Sequence, residues 1–314
     1  MAARTQKKAS SSRRRGKIWL IAVDPFQGPG IGNLLHMVRP LSEHAHARLE
    51  AAYVLAPAAL NWTGEFSGPW VKRYLPVANA EMKKALPADL DEKHVIVCRG
   101  SGHRAAAKSL IRFAERRGAA CIVIATHART GLERLAMGSF AETVILMSKI
   151  PILVVNPNHQ LPESVRRILV PTDLAPRSEK YISAIAAYAH AQDAEIVLYH
   201  KQDDPLDPIV QQGVYSLGGG WVSVQNFSEE EQKLKEQRIR KLEGIVRRHH
   251  VPVRHIFDTS PVGLVDGIEK AAAKEGADMV SVLTHSDSWS AALLGSVARG
   301  LVRSSPVPVV VLPG

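Results

Sequence analysis

The sequence predicts an α/β protein made of two copies of one domain, each a five-stranded parallel sheet with helices on both faces. Two observations carry this expectation. The chain says nearly the same thing twice: a strand-like run ending at Asp24 and a later Gly138-Ser139 return as a run ending at Asp173 and Gly295-Ser296. That interval is a domain length, well beyond the roughly 20–50 residue period of solenoids and propellers. Within each copy, short Val/Ile/Leu runs alternate with helical patterns, as expected of strands buried on both faces. A chain of 314 residues accommodates two such domains.

In the first copy the apolar runs place strands near 18–23, 50–55, 94–98, 120–125 and 151–155. Helices are expected near 31–48, 103–117 and 138–148, with a further short one near 78–86. The segment 103–117 has Ala, Leu, Ile and Phe at helical spacing and a basic last turn before Gly118, a sound C-terminal stop. In the second copy strands fall near 166–171, 195–200, 253–257, 278–283 and 307–312. Helices fall near 177–191, 228–248, 261–275 and 295–304, with Glu229, Glu230 and Glu231 in the first turn of the second. Each copy carries an insertion after its second strand: about 57–76, with Trp62 and Trp70, and about 201–227, with Trp221. Loops this long tend to be lids, binding loops or mobile segments. The expected division is a basic tail over 1–17, a first domain over 18–156, a linker over 157–164 and a second domain over 165–314.

The net charge of +10 misdescribes the folded part. Arg4, Lys7, Lys8, Arg13, Arg14, Arg15 and Lys17 stand in the tail without an acid, and the remainder is nearly neutral. Such a tail cannot bury enough apolar surface to fold, and only through it would the chain touch nucleic acid or anionic lipid. No apolar stretch approaches the roughly 18–20 residues of a membrane span, so the reading is of a soluble chain. Cys98 and Cys121 lie in Val/Ile-rich runs and read as buried free thiols, which points to the cytoplasm. No metal site is expected: His44 and His46 are two apart on a predicted helix, and His249, His250 and His255 lack ligand spacing.

In an open parallel sheet, ligands bind beyond the carboxyl ends of the strands where strand order reverses. Asp24 and Asp173 end first strands and would face that crevice. Gly138-Ser139 and Gly295-Ser296 each open a helix, where exposed amides bind phosphate and a serine adds a hydroxyl. These residues fit a nucleotide cradle. They equally fit a plain helix N-cap with a turn-forming aspartate, and the pattern alone leaves both open.

The run Thr126–Ser139, followed by Glu142 and Pro151–Val155, resembles the signature region of the universal stress protein family. The opening Val170-Pro-Thr-Asp173 of the second copy is similarly typical. The resemblance covers both copies and leaves only the basic tail outside. It implies two Rossmann-like, HUP-type domains whose last strands pair across a two-fold axis, so that one chain forms an internal pseudo-dimer. It implies ATP binding in some members and none in others. The family's ATP pattern is Gly-x-x-Gly, nine residues, then Gly-Ser or Gly-Thr. Here the first copy keeps the spacing but carries Ala125 and Ala128 for the two glycines, with His127 between them, Arg129 able to reach phosphates, and Gly138-Ser139 retained. The second copy has Leu283 and Ser286 there, one residue fewer before Gly295, and Asp287 to repel phosphate. Glycine matters in such a loop because a Cβ crowds the phosphate chain or forbids positive φ. The backbone contact to adenine, also implied by the resemblance, falls on Val54 and, in the second copy, Lys201.

Nothing in the sequence calls for an enzyme. No Walker-type run exists, and Pro29 removes an amide from Gly28-Pro-Gly-Ile-Gly32. His127 and His285 recur, but the resemblance implies no catalysis at that position. The sequence therefore reads as a non-catalytic stress-response protein, with a weakened ATP or ADP site in the first copy and a degenerate site in the second. The alternatives are a carrier of an apolar or lipid-like small molecule, using the tryptophan-bearing insertions, and a ligand-free interaction scaffold. Whether two chains form a homodimer stays open.

Overall fold

A computed structural model of the chain describes residues 17–26, 30–56, 68–90, 92–126, 139–156, 164–202, 214–215, 221–222, 224–284 and 296–313. The first half runs β1 (Lys17–Ala22), α1 (Gly30–His44), β2 (Ala47–Leu55), α2 (Gly68–Ala85), β3 (Glu92–Val97), α3 (Gly102–Arg117), β4 (Ala119–Ala125), α4 (Ser139–Met147) and β5 (Ile152–Val155). The second runs β6 (Arg167–Pro171), α5 (Ser178–Ala191), β7 (Glu195–Lys201), β8 (Val214–Tyr215), β9 (Trp221–Val222), α6 (Val224–Arg248), β10 (Val253–Asp258), α7 (Leu264–Glu275), β11 (Met279–Thr284), α8 (Ser296–Ser304) and β12 (Val309–Pro313).

Ten strands form one sheet in the order β10-β7-β6-β11-β12-β5-β4-β1-β2-β3. Pairing is parallel within each half, and the halves join where β5 meets β12 antiparallel, with Leu153 opposite Val310. This is the expected internal pseudo-dimer. Alternate residues of every central strand face opposite layers, which is why the strands read as continuous apolar runs. Trp19, Ile21, Val123 and Leu153 pack with α1, α2, α5 and α6 on one face. Leu20, Ile122, Ile124 and Val154 pack with α3, α4, α7 and α8 on the other. Each layer is continuous across both halves, so the two halves share one core on each face.

Helix ends follow local chemistry. Gly118 and Gly276 close α3 and α7 at φ 67 and 61, donating back to carbonyls of the last turn. A Cβ is costly in that left-handed conformation, and glycine is the usual solution.

Four expectations need correction. The helix expected near 78–86 starts at Gly68, so Trp70 is helical and stacks on Tyr74 with ring centroids 5.7 Å apart. A proline at the second position of α2 suits a helix start, a signal outweighed by the glycines and aromatics before it. The helix α6 begins at Val224, so its first turn holds no acid and the three glutamates lie further in. The second insertion contains the short hairpin β8-β9. Finally, α1 stops at His44, and His46 adopts φ 51 in the turn into β2, so the two histidines do not share a helix.

Candidate functional site

In the first half, strand order reverses between β1 and β4, both of which flank the crevice. The carboxyl ends of β2, β1 and β4 lie side by side there, bringing Val54, Asp24 and Ala125 to one rim. Asp24 follows β1, whose line is extended by Val23 N–H donating to Ala52 O at 3.0 Å. Its Oδ1 accepts the Phe26 N–H at 3.1 Å, a small turn that fixes the carboxylate at the strand end. The Phe26 ring, 51% exposed, stands edge-on to buried Tyr53 with centroids 5.7 Å apart. Burial, and then the Asp24 carboxylate, push the Tyr53 phenol above its ordinary pKa, so it stays a neutral hydroxyl. Val54 pairs with Ile96 of β3 and is only partly buried, packing toward Cys98 and Phe140. Ala125 closes β4 opposite Val155, and Thr126 N–H continues the ladder to Val155 O at 2.9 Å. Ser139 opens α4. His127, Ala128, Arg129 and Gly138 lie outside the described residues, as does Gly295.

The equivalent rim of the second half is chemically different. Asp173 Oδ1 accepts Ala175 N–H at 2.9 Å and Ser178 Oγ–H at 2.9 Å, while Oδ2 accepts Arg177 Nη2 at 2.7 Å. Burial opposes its ionisation, but those hydrogen bonds and the Arg177 charge outweigh it and hold the carboxyl below the usual range. Asp173 is thus engaged by its own chain on both oxygens. Among the described residues, Asp24 has the Phe26 amide alone as a hydrogen-bond partner. Ser296 opens α8 on this side.

Lys201, at the position matching Val54, turns away toward the end of β10. Its Nζ reaches Asp258 Oδ2 and Ser260 Oγ, each at 3.1 Å, and donates to Ser260 O. Asp258 Oδ2 also accepts the Tyr199 hydroxyl at 2.5 Å, and Oδ1 accepts Ser260 N–H at 2.8 Å. The sequence reading missed this knot. The available signal was the comparison of copies, since Ile96 pairs with Val54 as Asp258 pairs with Lys201.

Gly267 in α7 leaves the room that the knot needs: a Cβ there would stand 2.5 Å from Tyr199 Oη and 2.8 Å from Asp258 Oδ2. Gly267→Ala is therefore expected to destabilise the chain by about 1–2 kcal/mol, despite alanine's better helix propensity. Urea unfolding checks it, and an unchanged midpoint would mean that the hydroxyl and carboxylate shift aside freely.

Among the described residues, one group of acids and imidazole has metal-like spacing: Glu50, Glu92 and His94. Arg117 occupies its centre, donating to Glu50 Oε2 at 3.0 Å and Oε1 at 2.7 Å and to Glu92 Oε2 at 2.8 Å. A guanidinium in that place supplies the positive charge itself. Cys98 and Cys121 are free and buried, and burial pushes the Cys121 thiol up to about 12, far from a reactive thiolate. No described helix is long and apolar enough to cross a membrane.

Comparison with known proteins agrees with this architecture. The model of the universal stress protein family matches residues 18–156 and 164–313. Universal stress protein MJ0577 of Methanocaldococcus jannaschii is 29% identical over 154 residues, covering 47% of this chain and 94% of that protein. Among solved structures, a universal stress protein from Archaeoglobus fulgidus aligns with a TM-score of 0.58 at 13% identity, covering 94% of this chain and 96% of that one. The functionally unknown protein PA1789 from Pseudomonas aeruginosa PAO1 aligns with a TM-score of 0.57 at 15% identity, covering 95% and 92%. At such identities the structural likeness speaks for the fold. Both halves match the same family model, and the chain belongs to the universal stress protein family, carrying its domain twice.

Proposed function

We propose that this chain is a non-catalytic, cytoplasmic stress-response protein that holds one adenine nucleotide, ATP or ADP, in the cleft of its first half. The observation that carries the reading is the contrast between the two strand-end aspartates. Asp24 keeps acceptor capacity for ribose hydroxyls, whereas Asp173 spends its oxygens on Ala175, Arg177 and Ser178. Val54 offers strand-end backbone beside Asp24, and Ser139 opens a helix of the kind that receives phosphate. Ala125 replaces a glycine at the end of β4, so affinity is reduced relative to a glycine loop. The second half serves as the structural partner. The apolar-carrier reading loses one of its aromatic residues, because Trp70 stacks on Tyr74 and packs against the core.

Calorimetry with ATP and ADP in the presence of magnesium tests this on the full chain. Saturable one-site binding is expected, abolished by Gly138→Trp and weakened about tenfold by Asp24→Asn, the loss of roughly one charged hydrogen bond. Asp173→Asn is expected to leave it unchanged. Absence of heat with either nucleotide would overturn the reading in favour of an apolar ligand or a scaffold.

A further inference from the structure

The seam between the halves places equivalent residues of the two copies against each other. Leu153 is the second residue of β5 and Val310 the second of β12, and they face one another in the antiparallel register. The pseudo-two-fold axis therefore passes between them. Glu142 is the fourth residue of α4 and Arg299 the fourth of α8, so these too are equivalent. They meet across the same axis, with Arg299 Nη2 at 2.8 Å from Glu142 Oε1. Both side chains are largely withdrawn from solvent, 31% and 25% exposed, and Arg299 Nε is buried with no acceptor among the described residues. The Arg299 charge thus leans on Glu142 from the other half.

A residue on a two-fold axis meets itself whenever a half pairs with its own copy. Pairing two first halves would set Glu142 against Glu142, and pairing two second halves would set Arg299 against Arg299. Like charges a few ångströms apart in a half-buried seam repel, with little screening to relieve them. The interior of the sheet adds no comparable discrimination, because Leu153 and Val310 are both apolar and close in size.

We propose that Glu142 and Arg299 form a partner-selecting lock: the pair admits the complementary half across the seam and rejects a second copy of the same half. It is a device of exclusion as much as of attraction, built on the axis, where a tandem chain can carry two different residues and a homodimer cannot.

The full-length chain carries the test through Glu142→Arg, Arg299→Glu and the exchanged double variant, followed by thermal unfolding. Each single variant is expected to melt about 5 °C lower, a shift typical of losing one to two such interactions in a protein of this size, and the double variant to return close to wild type. A double variant as unstable as the two singles combined would overturn the pairing. Selection itself is read by co-refolding tagged Glu142→Arg with untagged Arg299→Glu. Reciprocal exchange of halves restores opposite charges at both seams, so a mixed species should be captured by the tag well in excess of that from tagged and untagged wild type. Recovery no greater than wild type would mean that the contact stabilises the seam without choosing the partner, and would overturn the proposal.

Discussion

Replacing Arg117 by methionine is expected to cost about 3 kcal/mol of stability, because it strands a carboxylate with no access to water. Glu50 sits in the middle of β2 with its side chain fully buried, and Arg117 grips both of its oxygens from the last turn of α3. His94 Nε2, 3.1 Å from Glu50 Oε2, and Arg48 Nη2, 3.4 Å from Oε1, remain but cannot replace a two-point grip. Urea unfolding of Arg117→Met against the double variant Glu50→Leu/Arg117→Met decides the cause. The double variant should recover most of the loss, since an apolar pair of similar volume is tolerated where a lone buried charge is not. Equal losses would mean that Arg117 acts through its packing alone. The pH dependence follows. Burial works against the Glu50 charge, but the bonds and charges of Arg117 and His94 outweigh it and lower its pKa in the folded chain. The folded value is the depressed one, so the stabilisation is complete above the unfolded glutamate value of about 4.3 and is lost as pH falls through the lower folded value.

Asp258→Ala should cost a similar amount, about 3 kcal/mol, for a related reason in the other half. It removes the acceptor of the Tyr199 hydroxyl and the counter-charge of Lys201, whose side chain is only 17% exposed. Tyr199 is almost fully buried at 1% exposure, so its hydroxyl finds no water in exchange. Lys201 keeps Ser260 O and Oγ, which caps the loss rather than cancelling it. Burial raises the Asp258 pKa, yet hydrogen bonds from Ser260, Tyr199 and Lys201 hold it well below the usual carboxylate range. Its contribution is therefore intact above the unfolded aspartate value of about 3.9 and disappears only in stronger acid. Guanidinium unfolding at neutral pH measures the loss. If Asp258→Asn lost as much as Asp258→Ala, the carboxylate charge would carry the knot; if it kept most of the stability, hydrogen-bond geometry would.

The strands were legible because their cause is local and repeated. A strand buried on both faces must be apolar throughout, and runs such as Ile18–Ile21 and Ile152–Val155 can do little else. The carboxyl-end position of Asp24 and Asp173 followed from the same reasoning. What lay beyond the sequence is the partnership of charged side chains. Nothing near Asp173 in the alternation of polar and apolar residues announces that Arg177, one helical turn on, folds back onto it. The same holds for Glu50 and Arg117, brought together by a crossover of a whole strand and helix. Helix starts were misjudged where glycine and proline speak against a helix interior yet suit its first turn, as at Gly68-Pro69.

The two copies have also exchanged charges. The first strand residue of β3, Glu92, meets Arg117 before Gly118; in the second half, Arg254 of β10 meets Glu275 before Gly276. The bond is kept and its polarity is reversed, so a single-residue graft from one copy to the other would place like charges together.

The antiparallel joint of β5 and β12 has a directional consequence. Within the ten-stranded sheet every strand of the first half runs against every strand of the second, so the carboxyl ends bearing Asp24 and Asp173 lie on opposite rims. The backbone traces a near-palindrome, while the chemistry at its two margins does not: one aspartate is left with acceptor capacity and the other is sealed by its own arginine. The fold thereby acquires a head and a tail, and a visitor at one margin has no steric argument with anything that docks at the other.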